Sequence, residues 1–149
     1  MADLVATISE SVTLNNAVRG SSNSVTVTGI TDVFERIVTC PHSATTTIAS
    51  FSANVYDSAG AIDTENVRYV RVTNLSTTID LELGIGGAAS SYTVLLKPET
   101  SHVLARTDDG MLAVTSTNPT YGSLADIAKI EARPATTTEV DVEIFVASV

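Results

Sequence analysis

The chain has 149 residues, a length that predicts one domain, residues 1–149, with a hydrophobic core of its own. Its formal net charge is −9 with only eight lysines and arginines, which argues against binding to nucleic acids and to anionic membranes. Valine, threonine and serine make up about three residues in eight, and because valine and threonine are β-branched, the composition predicts an all-β fold.

Cysteine usage and hydropathy restrict the class of protein further. Cys40 is the single cysteine, so no intrachain disulfide forms, and its place at the end of an apolar segment predicts a buried, inert thiol. No apolar run approaches the roughly 20 residues of a membrane span, and the first residues lack the pattern of a secretory signal. We therefore expect a soluble protein made in a cytoplasm.

The N-terminal third is a series of strand-like segments separated by polar turns. Leu4–Leu14 alternates loosely between apolar and polar residues and predicts a strand, and residues 1–20 are a candidate N-terminal arm. The segments that follow are a loop at Asn15–Ser24, a strand at Ser24–Thr28 closed by Gly29, a strand at Phe34–Cys40, a turn at Pro41–Ser43, one bent strand or two strands at Thr45–Val55, and a loop at Tyr56–Asn66.

Two strands dominate the middle of the chain. Neither face of Val67–Val72 is purely polar, which predicts a strand covered on both sides, with Arg68 and Arg71 near its ends or paired. Thr73–Ser76 is a turn by composition, because Asn and Ser bond their own backbone. Ile79–Leu83 alternates cleanly and predicts a half-buried antiparallel strand.

The glycine-rich segment Gly84–Ser91 invites a comparison with phosphate-binding loops. Such a loop follows a parallel strand and opens a helix, whereas here the next segment, Tyr92–Leu96, is strand-like. We therefore predict a flexible hairpin loop. Lys97–Thr100 is then a turn into a short strand at Ser101–Ala105.

The C-terminal third repeats the pattern of short strands and turns. Its segments are a tight hairpin at Arg106–Gly110, a strand at Met111–Thr115, a loop at Ser116–Tyr121, a short helical turn at Ser123–Ala128, a strand at Lys129–Arg133, a turn at Pro134–Thr138 and a strand at Glu139–Val146. The chain thus predicts an antiparallel β-sandwich or jelly roll of about 8–10 short strands with at most one short helical turn. The predicted core faces are Ile79, Leu81 and Leu83, and Val140, Val142, Ile144 and Val146.

Residues capable of catalysis or metal binding are sparse. The two histidines, His42 and His102, lie in separate turn-like contexts without further ligands at metal-binding spacing, so we predict no histidine-based metal site. A Ser/His/Asp triad is not excluded by composition, yet the G-x-S-x-G elbow and the α/β pattern that accompanies it are absent from the sequence. We expect no enzymatic activity and no cofactor.

Acidic and aromatic residues leave two binding hypotheses open. Asp57, Asp63 and Glu65 lie in one glycine-containing loop and offer the oxygen ligands that Ca²⁺ requires, although their spacing, like that of Asp108 and Asp109, matches no dedicated calcium loop. A solvated acidic loop is the alternative that we favour. Sugar-binding sites and glycosidase clefts rely on aromatic platforms, and this sequence has no tryptophan and only seven tyrosines and phenylalanines, which weakens that hypothesis.

Two stretches resemble small structural proteins of tailed bacteriophage particles. The first reads Val-Arg-Tyr-Val-Arg-Val-Thr-Asn-Leu-Ser from residue 67, then Thr-Ile-Asp-Leu-Glu-Leu, and then Val-Leu-Leu-Lys-Pro-Glu-Thr-Ser-His-Val-Leu. The second runs from Ile127 through Lys-Ile-Glu-Ala-Arg-Pro to Val-Asp-Val-Glu-Ile-Phe-Val at residue 146. This layout is similar to phage head decoration (cement) proteins and to some minor tail proteins with a jelly-roll or β-sandwich fold, over about half of the chain.

The resemblance implies a function without implying any site residue. It implies a virion protein on the capsid surface, a homotrimer that bridges neighbouring major capsid subunits, with residues 1–20 as a candidate contact arm. The alternatives are a tail or head–tail connector component and a β-sandwich module that binds carbohydrate or a host surface. Exposed Tyr56, Tyr92 or Tyr121 lining one groove would favour the carbohydrate-binding module.

Overall fold

The computed structural model describes residues 2–54, 60–87, 91–105 and 126–149, and these residues form strands and turns without any helix. The strands are β1 (Ala2–Ser9), β2 (Val12–Leu14), β3 (Ala17–Arg19), β4 (Ser22–Ile30), β5 (Asp32–Cys40), β6 (Thr46–Ser52), β7 (Ile62–Asp63), β8 (Val67–Asn74), β9 (Leu81–Gly87), β10 (Ser91–Leu96), β11 (Ser101–Ala105), β12 (Ile127–Pro134) and β13 (Val140–Ser148). The predicted all-β class is confirmed.

Eight of these strands form a sandwich in jelly-roll order. The first sheet has the order β11-β8-β13-β5, and the second has the order β10-β9-β12-β6, with the short β7 added in parallel to β6 at its edge. The chain crosses from one sheet to the other after β5, β7, β8, β10, β11 and β12. Apart from the β9–β10 hairpin, the antiparallel neighbours in each sheet are therefore distant in sequence. The predicted antiparallel β-sandwich is therefore confirmed.

The hydrophobic core fills the space between the two sheets, and the two predicted core faces both point into it. Ile79 is the exception, because it precedes β9 and is only half-buried against this core. The fully buried side chains include Leu81, Leu83, Ile85 and Ile130 from the second sheet and Val72, Val142, Ile144 and Val146 from the first. Cys40 is also buried here, as predicted, and burial raises the pKa of its thiol.

Strand β8 is covered on both faces, as its sequence predicts. Val70 points into the core, whereas Tyr69 faces the other side of the first sheet, where its ring meets Phe145 edge-on at 6.0 Å. Arg71 on that outer face donates to Glu143 at 2.7 Å, and this hydrogen bond holds the pKa of the Glu143 carboxyl below its ordinary value. Arg68 lies at a bulge near the strand's start and donates to the Glu65 carbonyl oxygen.

The predicted glycine-rich loop is wrong over its first half. Gly84 and Gly86 lie within β9, which pairs with β10 on one side and with β12 on the other. The alternation of Leu81, Leu83 and Ile85 continues through this segment and places the glycines on the outer face of the second sheet. Ladder hydrogen bonds on both edges outweigh the weak strand preference of glycine.

The N-terminal strand and loop predictions also need correction. The predicted strand Leu4–Leu14 breaks after Ser9, and β2 begins at Val12. The predicted loop Asn15–Ser24 contains a two-residue turn at Asn15-Asn16, the strand β3 and the start of β4. The reason is cross-strand pairing, since the polar Ser and Thr residues of this segment find partners across a long hairpin.

Smaller corrections concern strand ends. Thr73 and Asn74 complete β8 rather than beginning a turn, β6 ends at Ser52, and the predicted loop Tyr56–Asn66 contains β7. Ile127 and Ala128, predicted in a helical turn, begin β12. The predictions for Arg106–Gly110, Met111–Thr115, Ser116–Tyr121 and the first three residues of Ser123–Ala128 lie outside the described residues.

Candidate functional site

A long β-hairpin at residues 2–30, here called the hairpin arm, is attached to the outer face of the first sheet. Its strands β1 and β4 pair from Ala2 opposite Ile30 to Ser9 opposite Ser22, and β2 and β3 continue the hairpin to its tip. Asn15 and Asn16 form the tip with positive φ angles of 53° and 62°. This is the geometry of a type I′ turn, which matches the right-handed twist of the strands.

Gly20 permits a close approach of the two strands in the middle of the arm. Its φ is +130°, and a Cβ atom at this position would overlap the carbonyl oxygen of Glu10. A side chain is therefore excluded, and the two strands approach closely enough for the Glu10 amide to donate to the Ser21 carbonyl oxygen at 2.9 Å. This close approach joins the outer hairpin β2–β3 to the ribbon β1–β4.

The base of the arm packs on the body of the protein. Its apolar side chains form a second, smaller hydrophobic cluster with the outer face of the first sheet, separate from the sandwich core. The arm contributes Leu4, Ala6, Val27 and Ile30, and the sheet contributes Tyr69, Val103, Phe145 and Ala147. The arm is therefore anchored to the sandwich by a packed interface at its base.

Exposed large apolar side chains are concentrated on the arm. Among the described residues, ten large hydrophobic side chains are exposed, and six of them belong to the arm. Two more, Val33 and Ile37, lie on the next strand, β5. The six on the arm are Val5, Ile8, Val12, Leu14, Val18 and Val25, and their exposed fractions reach 74% at Val18. Such a concentration of exposed apolar side chains is typical of an interaction site.

Two of the six exposed side chains continue the face that is buried at the base, whereas the six together are distributed over both faces of the ribbon. Leu4 lies opposite Val27 and Ala6 lies opposite Val25, so the alternation places Ile8 on this same face two residues further along β1. Leu4 and Val27 are covered by the first sheet, whereas Ile8 is 58% exposed. The apolar face of the base thus extends, at Ile8 and Val25, past the part that the body covers.

The arm also differs from the rest of the chain in charge. Residues 2–30 carry two acidic side chains, Asp3 and Glu10, and one basic side chain, Arg19. Their net charge is −1, compared with −9 for the whole chain. The arm is therefore less acidic for its length than the rest of the chain, which lowers its repulsion by an acidic partner.

The histidine and tyrosine that the sequence singled out meet at the edge of the sandwich formed by β10 and β11. Tyr92 on β10 and His102 on β11 are joined by a 2.8 Å hydrogen bond between the Tyr92 hydroxyl and His102 Nε2. Because β10 and β11 belong to different sheets, this bond links the two layers. Burial lowers the pKa of His102 and raises the pKa of Tyr92.

This pair predicts a pH dependence of stability. The pKa of His102 is lower in the folded than in the unfolded chain, so the unfolded chain binds more protons between the two values. The contribution of neutral His102 to stability is complete above the pKa that this residue has in the unfolded chain. It is lost as the pH decreases through its pKa in the folded chain. We expect the urea midpoint of the wild type to fall more between pH 7.5 and 5 than that of His102→Gln. The exposed His42→Gln variant is the control and should follow the wild type; equal slopes for all three proteins would contradict the prediction.

In the described part of the acidic loop, the Asp63 carboxylate accepts hydrogen bonds from within the loop. Asp63 Oδ1 accepts the Glu65 amide at 3.1 Å, and Asp63 Oδ2 accepts Asn66 Nδ2 at 2.8 Å. Asp57 lies outside the described residues, as do Asp108 and Asp109. Among the described residues, no group of three or more His, Cys, Asp or Glu side chains is arranged to hold a metal ion. Asp63 therefore serves to shape the turn before β8.

A shallow depression lies beside this turn, at the base of the hairpin arm. Its volume is about 450 Å³, and its lining mixes polar and apolar side chains. The residues at its edge include Asp32, Phe34, Ile62, Asp63, Asn66 and Val149. Because Asp63 and Asn66 bond each other, they do not converge on a ligand.

Within the part of the chain that the structure describes, no helix has the length and hydropathy of a membrane span. The sequence matches no protein-family model, and comparisons with curated proteins and with solved structures gave no match either. No relative's activity is therefore carried over to this chain.

Proposed function

We propose that the protein is a non-enzymatic structural component of a tailed bacteriophage particle, a decoration (cement) protein on the outer surface of the head. The observation that carries the proposal is the hairpin arm, a projecting ribbon with six exposed large apolar side chains on a jelly-roll body. Exposed apolar ribbons suit attachment to another protein. The resemblance of residues 67–105 and 127–146 to phage decoration proteins supplies the identity of that assembly.

The jelly-roll fold is compatible with this role but does not distinguish it from the other roles of jelly-roll proteins. Jelly rolls occur in viral capsid proteins, in lectins and in cupins, so function has to come from a site on the fold. The distal arm is such a site, and its side chains are of the kind that proteins bury against other proteins. In the proposed role, the protein bridges neighbouring major capsid subunits, and many weak contacts act together through multivalency.

The charge of the chain supports a position outside the genome-filled interior. A net charge of −9 repels nucleic acid and opposes unspecific contact between copies. Attachment then depends on apolar burial at the arm. The proposed location is the capsid surface, after synthesis in the host cytoplasm.

A carbohydrate-binding role has no observation in its favour. Its predicted signature was a groove lined by exposed tyrosines. Tyr92 is instead half-buried and bonded to His102, while Tyr56 and Tyr121 lie outside the described residues. We therefore advance the structural role alone.

Binding to purified heads tests the proposal. Expanded heads lacking the protein, from the phage that encodes it, are mixed with excess purified chain and sedimented, and the bound copies per head are counted by quantitative mass spectrometry. We expect saturable binding of many copies over the whole head surface, and heads that better resist heat. A few copies at a single vertex would indicate a tail or connector component, and no binding would overturn the proposal.

A further inference from the structure

We propose that the distal hairpin arm of one copy docks on the outer face of strand β5 in a second copy of this chain. This inference goes beyond the proposed function, because it concerns the purified protein without any capsid. The donor surface consists of Ile8 and Val25, the exposed side chains that continue the arm's apolar face beyond its base. The acceptor surface is the exposed pair Val33 and Ile37 on β5.

The acceptor lies on the same face of the first sheet that the arm already contacts. Val33 is paired with Ala147 and Ile37 is paired with Glu143, and alternation along β13 places Ala147, Phe145 and Glu143 on the outer face. Val33 is 48% exposed and Ile37 is 63% exposed. The base of the arm in the same chain covers Ala147 and Phe145 but leaves these β5 side chains exposed.

A second arm on β5 would therefore extend an interface that the chain itself already makes. At its base the arm packs Leu4 and Val27 against this outer face. Further along the same paired strands, β1 and β4, Ile8 and Val25 are exposed to solvent. The arm's own chain cannot supply this contact in the structure, since Ile8 remains 58% exposed there. Only one residue, Thr31, separates β4 from β5, and its amide is tied to the Ser148 carbonyl oxygen at 2.9 Å. This short connection restricts movement of the arm toward the neighbouring β5.

Electrostatics favours the same pairing. The outer face around β5 and β13 carries the acidic side chains Glu35, Asp141 and Glu143, of which Glu143 is paired with Arg71. Two bodies of this acidic chain repel each other, whereas the arm has a net charge of −1 and presents Arg19 near its tip. The low net charge of the arm therefore keeps its repulsion by an acidic second copy small.

The arm directly precedes β5 in the chain, so two arrangements satisfy the contact. Two copies exchange arms reciprocally in a two-fold dimer, or each copy passes its arm to the next around a closed ring. In either assembly each copy supplies one arm and accepts one arm. A ring of three would agree with the proposed decoration role, because the contact uses Ile8 and Val25 and leaves the exposed Val12, Leu14 and Val18 near the tip for the capsid.

Solution mass by light scattering over a concentration series is the first test, with charged variants at the two surfaces. We expect the wild type to form a closed oligomer, and both Ile8→Lys and Ile37→Asp to raise its dissociation constant at least tenfold. The double variant I8K/I37D should recover much of the lost association, because the introduced ammonium group on the arm of one copy then faces the introduced carboxylate on β5 of the next. Leu95→Asp is the matched control, since Leu95 is also exposed on a strand but lies on β10 of the other sheet, and it should leave the mass unchanged.

Hydrogen exchange on the wild type provides a test that needs no variant. We expect amides of residues 5–9 and 33–37 to gain protection as protein concentration rises, and those of β10 to remain unaffected. Circular dichroism checks that each variant is folded. A wild type that stays monomeric, or an oligomer that Ile37→Asp leaves intact, would overturn the inference.

The two proposals fail separately. If the monomer decorates heads, the arm binds the capsid protein; the inference about a second copy is then wrong, and the proposed function stands. If a ring forms through the arm but does not bind heads, the inference stands and the decoration role is wrong.

Discussion

Replacing Ile144 by alanine is expected to lower the free energy of unfolding by about 2–5 kcal/mol. Ile144 is fully buried in the middle of β13, and this strand pairs with β8 on one side and with β5 on the other. The side chain points between the two sheets, where both layers are held by ladder hydrogen bonds. Because neither sheet can move far to fill the space, the variant loses the transfer free energy and keeps a cavity. Urea unfolding at neutral pH measures the change.

An exposed leucine provides the control for this measurement. Leu95 lies on β10 and is 51% exposed, so Leu95→Ala should change the stability by no more than about 0.5 kcal/mol. Both variants shorten an aliphatic side chain on a strand, and they differ mainly in burial. A loss below about half a kcal/mol for Ile144→Ala would mean that the β13 side chains do not form the sandwich core.

Strands with strict alternation were predictable from the sequence because one face is buried and the other is solvated. In Val140–Val146 every second residue is aliphatic and the others are mostly acidic, so only one register buries the aliphatic set. The ends of the strands were harder to predict from the sequence. Gly84 resembles a loop residue by its weak strand propensity. Its place in a central strand follows from the pairing of β9 with β10 and with β12, and β12 is distant in sequence.

The hairpin arm shows a different limit. A local signal for its tip was present in the pair Asn15-Asn16, which suits a type I′ turn, and in Gly20. The alternation of Leu4, Ala6 and Ile8 indicated an apolar face, but not which part of that face would be covered. Coverage depends on Tyr69 and Phe145, which the fold brings beneath the arm from distant strands. Exposure of the distal arm therefore became visible only in three dimensions.

The buried residue that the sequence analysis missed is Asn74. It was assigned to a turn because Asn bonds its own backbone there, but it lies at the end of β8 and its side chain is completely buried. Its Nδ2 atom donates to the carbonyl oxygens of Ile79, Leu96 and Lys97 at 2.8 to 3.3 Å, and its Oδ1 atom accepts the Ser76 amide at 3.0 Å. One side chain thus connects the turn after β8 with the turn after β10.

Replacing Asn74 by leucine, which has the same number and branching of side-chain heavy atoms, is expected to destabilise the protein by about 2–4 kcal/mol, since several buried polar groups lose their partner. Asn74→Asp should be at least as damaging at neutral pH, because its carboxylate would face three carbonyl oxygens. That environment raises the carboxyl pKa in the folded state, so the extra loss is present above the unfolded pKa and shrinks as pH falls below the folded value. Urea unfolding at pH 7 and pH 4 measures both effects.

The exposed Asn23 supplies the control for Asn74, because it donates one hydrogen bond to Ser21 Oγ at 3.2 Å on the surface of the arm. Asn23→Leu should change the stability by no more than about 0.5 kcal/mol. If Asn74→Leu is equally mild, the carbonyl oxygens of the two turns find other donors. If Asn74→Asp loses stability equally at both pH values, the acid is not held among those oxygens. Either result would remove the Asn74 side chain as the link between the two turns, which would then be joined by contacts such as the hydrogen bond from the Glu99 amide to the Ser76 carbonyl oxygen.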